Sequence, residues 1–89
     1  MEFFKVSSEG LFTNIKVIAA SDKYQAIGYF VMETQKEGIE LEEISARQMK
    51  RDEKIEVECI GFPVYKTVEE LFKEQTCLYI PWIVTGLEN

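Results

Sequence analysis

The apolar spacing of this chain changes period along its length, and each change limits what the segment can become. Through "LFTNIKVIAA", residues 11–20, side chains alternate: Thr13, Ile15, Val17 and Ala19 share one face, Phe12, Asn14, Lys16 and Ile18 the other. At "SDKYQAIGYFVMETQKEG" the period becomes helical, and Tyr24, Ile27, Phe30 and Val31 fall within one arc of a 3.6-residue wheel. Ser21 or Asp22 supplies a cap, with Gln25 three residues after Asp22, and Gly38 supplies a left-handed stop. Gly28 weakens the helix interior, which implies close approach to another backbone. Tyr29 and Met32 flank the polar side beside Gln25, Glu33 and Lys36, and are candidate contact residues.

Elsewhere strand and turn signals dominate. "FFKV" joins residues 11–20 through "SSEG", where Gly10 is free to take positive φ. "IELEEISA" alternates until the beat slips at Glu43–Ile44, as at a bulge. "RQMKRDEK" reads as a charged connector carrying Arg47, Lys50, Arg51 and Lys54, and "IEVECIGF" as a strand ended by Gly61 and Pro63. Thr67 and Glu70 form a capping box before a short helix with Val68, Leu71 and Phe72 at helical spacing. "LYIPWIVTG" closes the chain as a strand, with Pro81 at a sheet edge or bulge and Trp82 as its core anchor.

The expected fold is one α+β domain over residues 1–89, in the order ββαββαβ, with a mixed, largely antiparallel sheet and one long and one short helix. Its last six elements follow the order of ferredoxin-like folds. In that topology the first core strand is flanked on both sides, leaving no place for the leading strand. Either the leading strand displaces the last one, or the sheet has its own order with the long helix across it.

A hairpin of residues 39–44 with 55–60 would pair Leu41 with Val57 and Ile39 with Cys59 on a buried face. It would set Glu42 opposite Glu56 and Glu40 opposite Glu58 on the other. Like charges directly opposite destabilise a hairpin, but a one-residue slip would expose half the apolar set. Such a row is a solvated strand face or a docking surface for a basic partner. A flat strand does not converge oxygens on calcium or magnesium as a loop does.

The remaining chemistry is mostly exclusion. Sixteen acidic against ten basic residues give a net charge of −6, which disfavours nucleic acid and anionic membranes as partners. No histidine is present, the two cysteines Cys59 and Cys77 cannot complete a zinc site, and the five glycines are scattered singly. Cys59, on the apolar beat, reads as a small buried hydrophobe. We therefore expect no enzyme, no cofactor, no metal and no catalytic residue. "MEFFKV" lacks the features of a secretory signal and "LYIPWIV" is too short to span a bilayer, so the expected compartment is the cytoplasm.

"VIAASDKYQAIGYF", with "TVEELF" and "YIPWIV", resembles small acidic proteins carried by phages and other mobile elements. The resemblance implies an interaction protein, some members of that group inhibiting host enzymes by imitating nucleic-acid charge. The expected function is accordingly a non-enzymatic module that binds a host protein through Glu40, Glu42, Glu56 and Glu58, with Tyr29 and Met32 as further contacts. The alternative is an assembly accessory acting as a homo-oligomer, a homodimer in its simplest form. Its motive is the apolar set Phe12, Ile18, Ile60 and Phe62 on the side of the glutamates.

Overall fold

The structure, a computed structural model, describes residues 1–9, 14–38, 42–59, 61–75 and 79–87, with backbone alone at Glu58, Cys59, Phe62 and Pro63. Gly10, Phe12, Thr13, Ile39, Glu40, Leu41, Ile60 and Cys77, which carry several of the expectations above, lie outside the described residues. Eight elements follow one another: β1 (Glu2–Ser8), β2 (Asn14–Ala20), α1 (Lys23–Lys36), β3 (Ile44–Met49), β4 (Lys54–Cys59), β5 (Phe62–Thr67), α2 (Val68–Lys73) and β6 (Trp82–Leu87). The α+β class is as expected. The order differs by one strand, β5.

Four strands form an antiparallel sheet in the order β3-β1-β2-β6, and β4 and β5 form a separate antiparallel hairpin. The leading strand thus does not displace the last one, since β6 keeps its place beside β2. It enters the sheet between β2 and β3, so that α1 connects two strands with β1 lying between them. In a ferredoxin-like sheet that interior position belongs to the third of its four strands; here β4 leaves the main sheet altogether. Every strand pairing among the described residues is antiparallel.

The main sheet is covered on both faces, which makes three layers. On one face Phe4, Val6, Ile18 and Ala20 meet Ala26 and Phe30 of α1. On the other, Phe3, Val17, Ala19, Met49 and Val84 meet Ile55 of β4 and Val68 and Phe72 of α2, with the rings of Phe3 and Phe72 edge to face at 5.6 Å. Ile18, expected on an outer face beside the glutamates, is fully buried beneath α1.

Helix α1 begins at its expected cap: Asp22 Oδ1 accepts from the Gln25 amide at 2.8 Å, and Gln25 Oε1 accepts from the Ser21 amide at 2.6 Å. It is followed by Gly38 at φ +74°, whose amide donates to Gln35 O. The buried stripe, however, is Ala26, Phe30 and Thr34, spaced four residues apart. Tyr24, assigned to the apolar arc, is 78% exposed in the first turn, with the Lys23 ammonium 5.8 Å over its ring. Small Ala26 lets the helix sit low. Thr34 can be buried because its hydroxyl donates back to Phe30 O at 2.7 Å.

Three further expectations are corrected. Residues 47–49 of the supposed charged connector belong to β3, because Met49 pairs with Phe3 and is buried with it. Pro63 does not end the strand region: Gly61, at φ +89°, turns the chain into β5, and Pro63 stands opposite Glu58 in that two-stranded sheet. A proline fits there because an edge strand needs hydrogen bonds on one side only. Gly28 is exposed, and a Cβ built on it meets nothing within 4 Å, so no close approach explains it.

The last point gives a test. Gly28→Ala should stabilise the fold by about 0.5–1 kcal/mol, since alanine lowers the entropy of the unfolded chain without a clash. Melting temperature should rise by a few degrees (~4–8 °C per kcal/mol for a domain this size). Phe30→Ala, by contrast, should cost about 3–5 kcal/mol in a urea titration. A fall in stability for Gly28→Ala would show that the α1 face is not open at that position.

Candidate functional site

The second layer is built from the turn after β3. Glu53 O accepts from the Val68 amide and Arg51 O from the Glu69 amide, so the start of α2 is hydrogen-bonded to the β3–β4 turn. The helix is capped by Thr67, whose hydroxyl accepts from the Glu70 amide at 3.1 Å. At its far end Gln75 is held three ways: Nε2 donates to Leu71 O and Val84 O, and Oε1 accepts from Trp82 Nε1. Trp82 itself is half-buried and packs against the cluster around Phe3.

The β4–β5 hairpin extends from this anchor. Opposite residues of an antiparallel pair share a face, so the register assigns Ile55, Lys66, Val57 and Val64 to one side and Lys54, Thr67, Glu56 and Tyr65 to the other. The first is the inner side, since Ile55 enters the core and the Lys66 ammonium reaches Glu74, the residue that caps the end of α2, at 2.7 Å. Burial falls off along it: Ile55 is buried, Val57 half-buried, and Val64 37% exposed. The hairpin therefore stands away from the main sheet beyond Ile55.

Beneath it lies a cleft of about 710 Å³. Its floor is the half of the sheet that α2 leaves uncovered, where Ile15, Val84 and Leu87 surround Lys5; Val57 forms the roof and Leu71 the α2 side. Glu53, at the edge, accepts a bidentate pair from Arg47 at 2.8 and 3.1 Å. Those hydrogen bonds, opposed in part by desolvation, hold the Glu53 carboxyl below the ordinary glutamate range.

On the outer side Tyr65 is 60% exposed directly across from Glu56, which is also exposed. Of the expected glutamate row, Glu56 stands opposite Tyr65 and not opposite Glu42. Strand β4 takes β5 as its partner, and Val57 faces Val64 where Leu41 was expected. Glu42 lies beside β1 instead, its amide donating to Ser8 Oγ at 3.1 Å and its carbonyl accepting from the same hydroxyl at 2.7 Å. Glu40 and the Glu58 side chain lie outside the description. Of the helix residues proposed as contacts, Met32 is 47% exposed, whereas Tyr29 is half-buried against the cluster around Phe4. Tyr65 was missed because the segment holding it was read as a terminator.

Among the described residues, no three Cys, Asp or Glu side chains are grouped to hold a metal ion, and no helix is long and apolar enough to cross a membrane. No family model matches the chain, and no curated protein or solved structure matches it.

The Arg47–Glu53 pair carries a pH signature. Because the folded-state pKa of Glu53 is depressed, the pair's contribution is present above the unfolded value and lost as pH falls through the folded one. Glu53→Gln should therefore destabilise the protein modestly at neutral pH, by less than about 1 kcal/mol for a pair this exposed. The difference should vanish in acid. Paired denaturant titrations of parent and variant across the carboxylate range check this, and a difference that grows on acidification would contradict it.

Proposed function

We propose that the protein is a non-enzymatic interaction module that binds a basic protein partner through the outer face of the β4–β5 hairpin. The observation that carries this reading is Tyr65, mostly exposed and directly across from Glu56 on a hairpin that stands off the main sheet. A tyrosine offers a large, rigid contact area with a hydrogen-bonding tip, which is why such residues dominate interface energetics. The neighbouring carboxylate supplies attraction to a cation and, in a chain of net charge −6, steering over distance. Glu56 is the member of the expected acidic row that takes part. A phage or mobile-element accessory acting on a host factor in the cytoplasm is the setting the sequence resemblance implies.

The homo-oligomer reading has a specific feature in its favour as well. Strands β3 and β6 are edges of the main sheet with no second partner among the described strands, and Ile44 at the start of β3 is 37% exposed. Edge pairing of two copies would use these strands and leave the hairpin's outer face free.

Two substitutions separate the readings. Tyr65→Ala should weaken partner binding by at least tenfold through a faster off-rate. Glu56→Gln should slow association and flatten its dependence on salt. Neither should shift the melting temperature by more than a few degrees, because both side chains are exposed. A p-benzoylphenylalanine at residue 65, irradiated in host extract, should give an adduct absent from the same probe at residue 36 on α1. Equal labelling at both positions, or unchanged kinetics in both variants, would overturn the hairpin assignment; a concentration-dependent dimer by sedimentation would favour edge pairing.

A further inference from the structure

We propose that the cleft under the inner face of the hairpin binds a small single-chain amphiphile bearing a carboxylate, with the anionic head on Lys5 and the apolar tail between the sheet and β4. The inference is independent of the outer-face reading, because Lys5, Ile15 and Val57 lie on the opposite side of the hairpin from Tyr65.

Lys5 is the central observation. It lies on β1 between Val17 of β2 and Arg47 of β3, on the same sheet face as Phe3, yet beyond the reach of α2. Its side chain lines the cleft and is half-buried, and among the described residues its ammonium makes no hydrogen bond or ion pair. The nearby carboxylate that could answer it, Glu53, is already engaged by both terminal nitrogens of Arg47. Lys54 and Glu56 also border the cleft, but their side chains belong to the outer face of the hairpin. Lys5 thus stands in the field of Glu53 but without a hydrogen bond or ion pair among the described residues, on a floor that includes Ile15, Val84, Thr85 and Leu87.

The walls suit a tail. Val57 and Leu71 face that floor across the cleft, and Val57 is left half-buried by the protein's own packing. The space of about 710 Å³ falls in the range of small-molecule sites, roughly 300–1,000 Å³. It is far larger than a lone inorganic anion needs, and its lining, polar and apolar in similar measure, places Ile15, Val57, Leu71, Val84 and Leu87 where a tail can reach them. A chain of about ten to twelve carbons would cover those walls, each buried methylene adding favourable transfer energy. A carboxylate in reach of Lys5 would gain a charge-assisted hydrogen bond in a partly desolvated site. An alkylammonium would meet the wrong charge, and an alcohol could accept a hydrogen bond from the lysine but would leave its charge uncompensated.

The test uses dodecanoate below its micelle concentration, with dodecanol, dodecylammonium and butyrate as comparison probes. Binding is followed by methyl NMR of the intact chain. Dodecanoate should give saturable 1:1 shifts at Ile15, Val57, Leu71, Val84 and Leu87, and bind at least tenfold more tightly than dodecanol or butyrate. Dodecylammonium should not saturate. Lys5→Gln should reduce dodecanoate affinity at least tenfold while leaving dodecanol affinity within twofold, and Lys5→Arg should restore most of the loss. The dodecanol arm shows that the cleft is intact in each variant. The proposal is overturned if dodecanoate gives no saturable shifts, if dodecanol equals it, or if Lys5→Gln binds it like the parent. Saturable shifts confined to α1 methyls would equally overturn it, by placing the amphiphile on the other layer.

Discussion

Two consecutive phenylalanines on one strand govern this structure. Phe3 and Phe4 point to opposite sides of β1, and both are almost wholly buried. That is only achievable if the strand is interior to its sheet and the sheet is covered twice. Both conditions hold. Strand β1 is hydrogen-bonded on each side, α1 covers the Phe4 face, and β4 with α2 covers the Phe3 face. Strand β2 shows the same demand, with Val17, Ile18, Ala19 and Ala20 all inaccessible. The small domain therefore spends its apolar residues on two thin cores on either side of one sheet, and neither core reaches the whole of its face.

The placement of β1 decides the pairings that follow. Once β1 occupies the position between β2 and β3, β3 has its partner, and the segment after it must find another. Strand β4 folds onto β5. The expected hairpin between residues 39–44 and 55–60 rested on matching apolar alternation, and alternation alone does not choose between partners of equal pattern. Local signals were more decisive. The caps at Asp22 and Thr67 and the stop at Gly38 could all be read from short spacings, because each is a local hydrogen bond or a backbone preference. At Glu43–Ile44, where a bulge was expected, Glu43 takes φ +43° and the strand begins only at Ile44. Strand β5 was not legible, since a glycine and a proline within three residues look like an ending until a second strand is there to receive them.

The site was less legible than the fold, yet one signal was present in the first strand. On the face of β1 that carries Phe3, the next residues are Lys5 and Ser7. Apolar at one end and polar at the other, that face indicates a cover that stops midway. In the structure α2 packs over Phe3, and the cleft opens over Lys5. Ser7 answers Ser45 across the strand pair at 2.9 Å, but Lys5 faces Val17 and Arg47, neither of which can accept from it. Reading that face as half-covered required knowing that α2 is only six residues long and ends at Lys73. Tyr65 offered less warning, because its exposure follows from the register of a strand that the sequence did not announce.

The contrast between the two layers explains why surface chemistry concentrates on one of them. Helix α1 runs fourteen residues across β1, β2 and β3 and covers more of its face, with Phe30 and Thr34 fully buried and the Thr34 hydroxyl satisfied by the helix itself. The other layer is a short helix and a two-stranded hairpin. Such a hairpin is marginal alone. It is held here by Ile55 in the core, by the Arg47–Glu53 and Lys66–Glu74 pairs, and by hydrogen bonds joining the start of α2 to the turn before β4. All of these attachments lie toward one end. The other end must then project, leaving Val57 and Val64 incompletely covered on the inside and Tyr65 exposed on the outside. Both candidate surfaces thus follow from a single shortage: the second layer has too few residues to cover the sheet face it packs against.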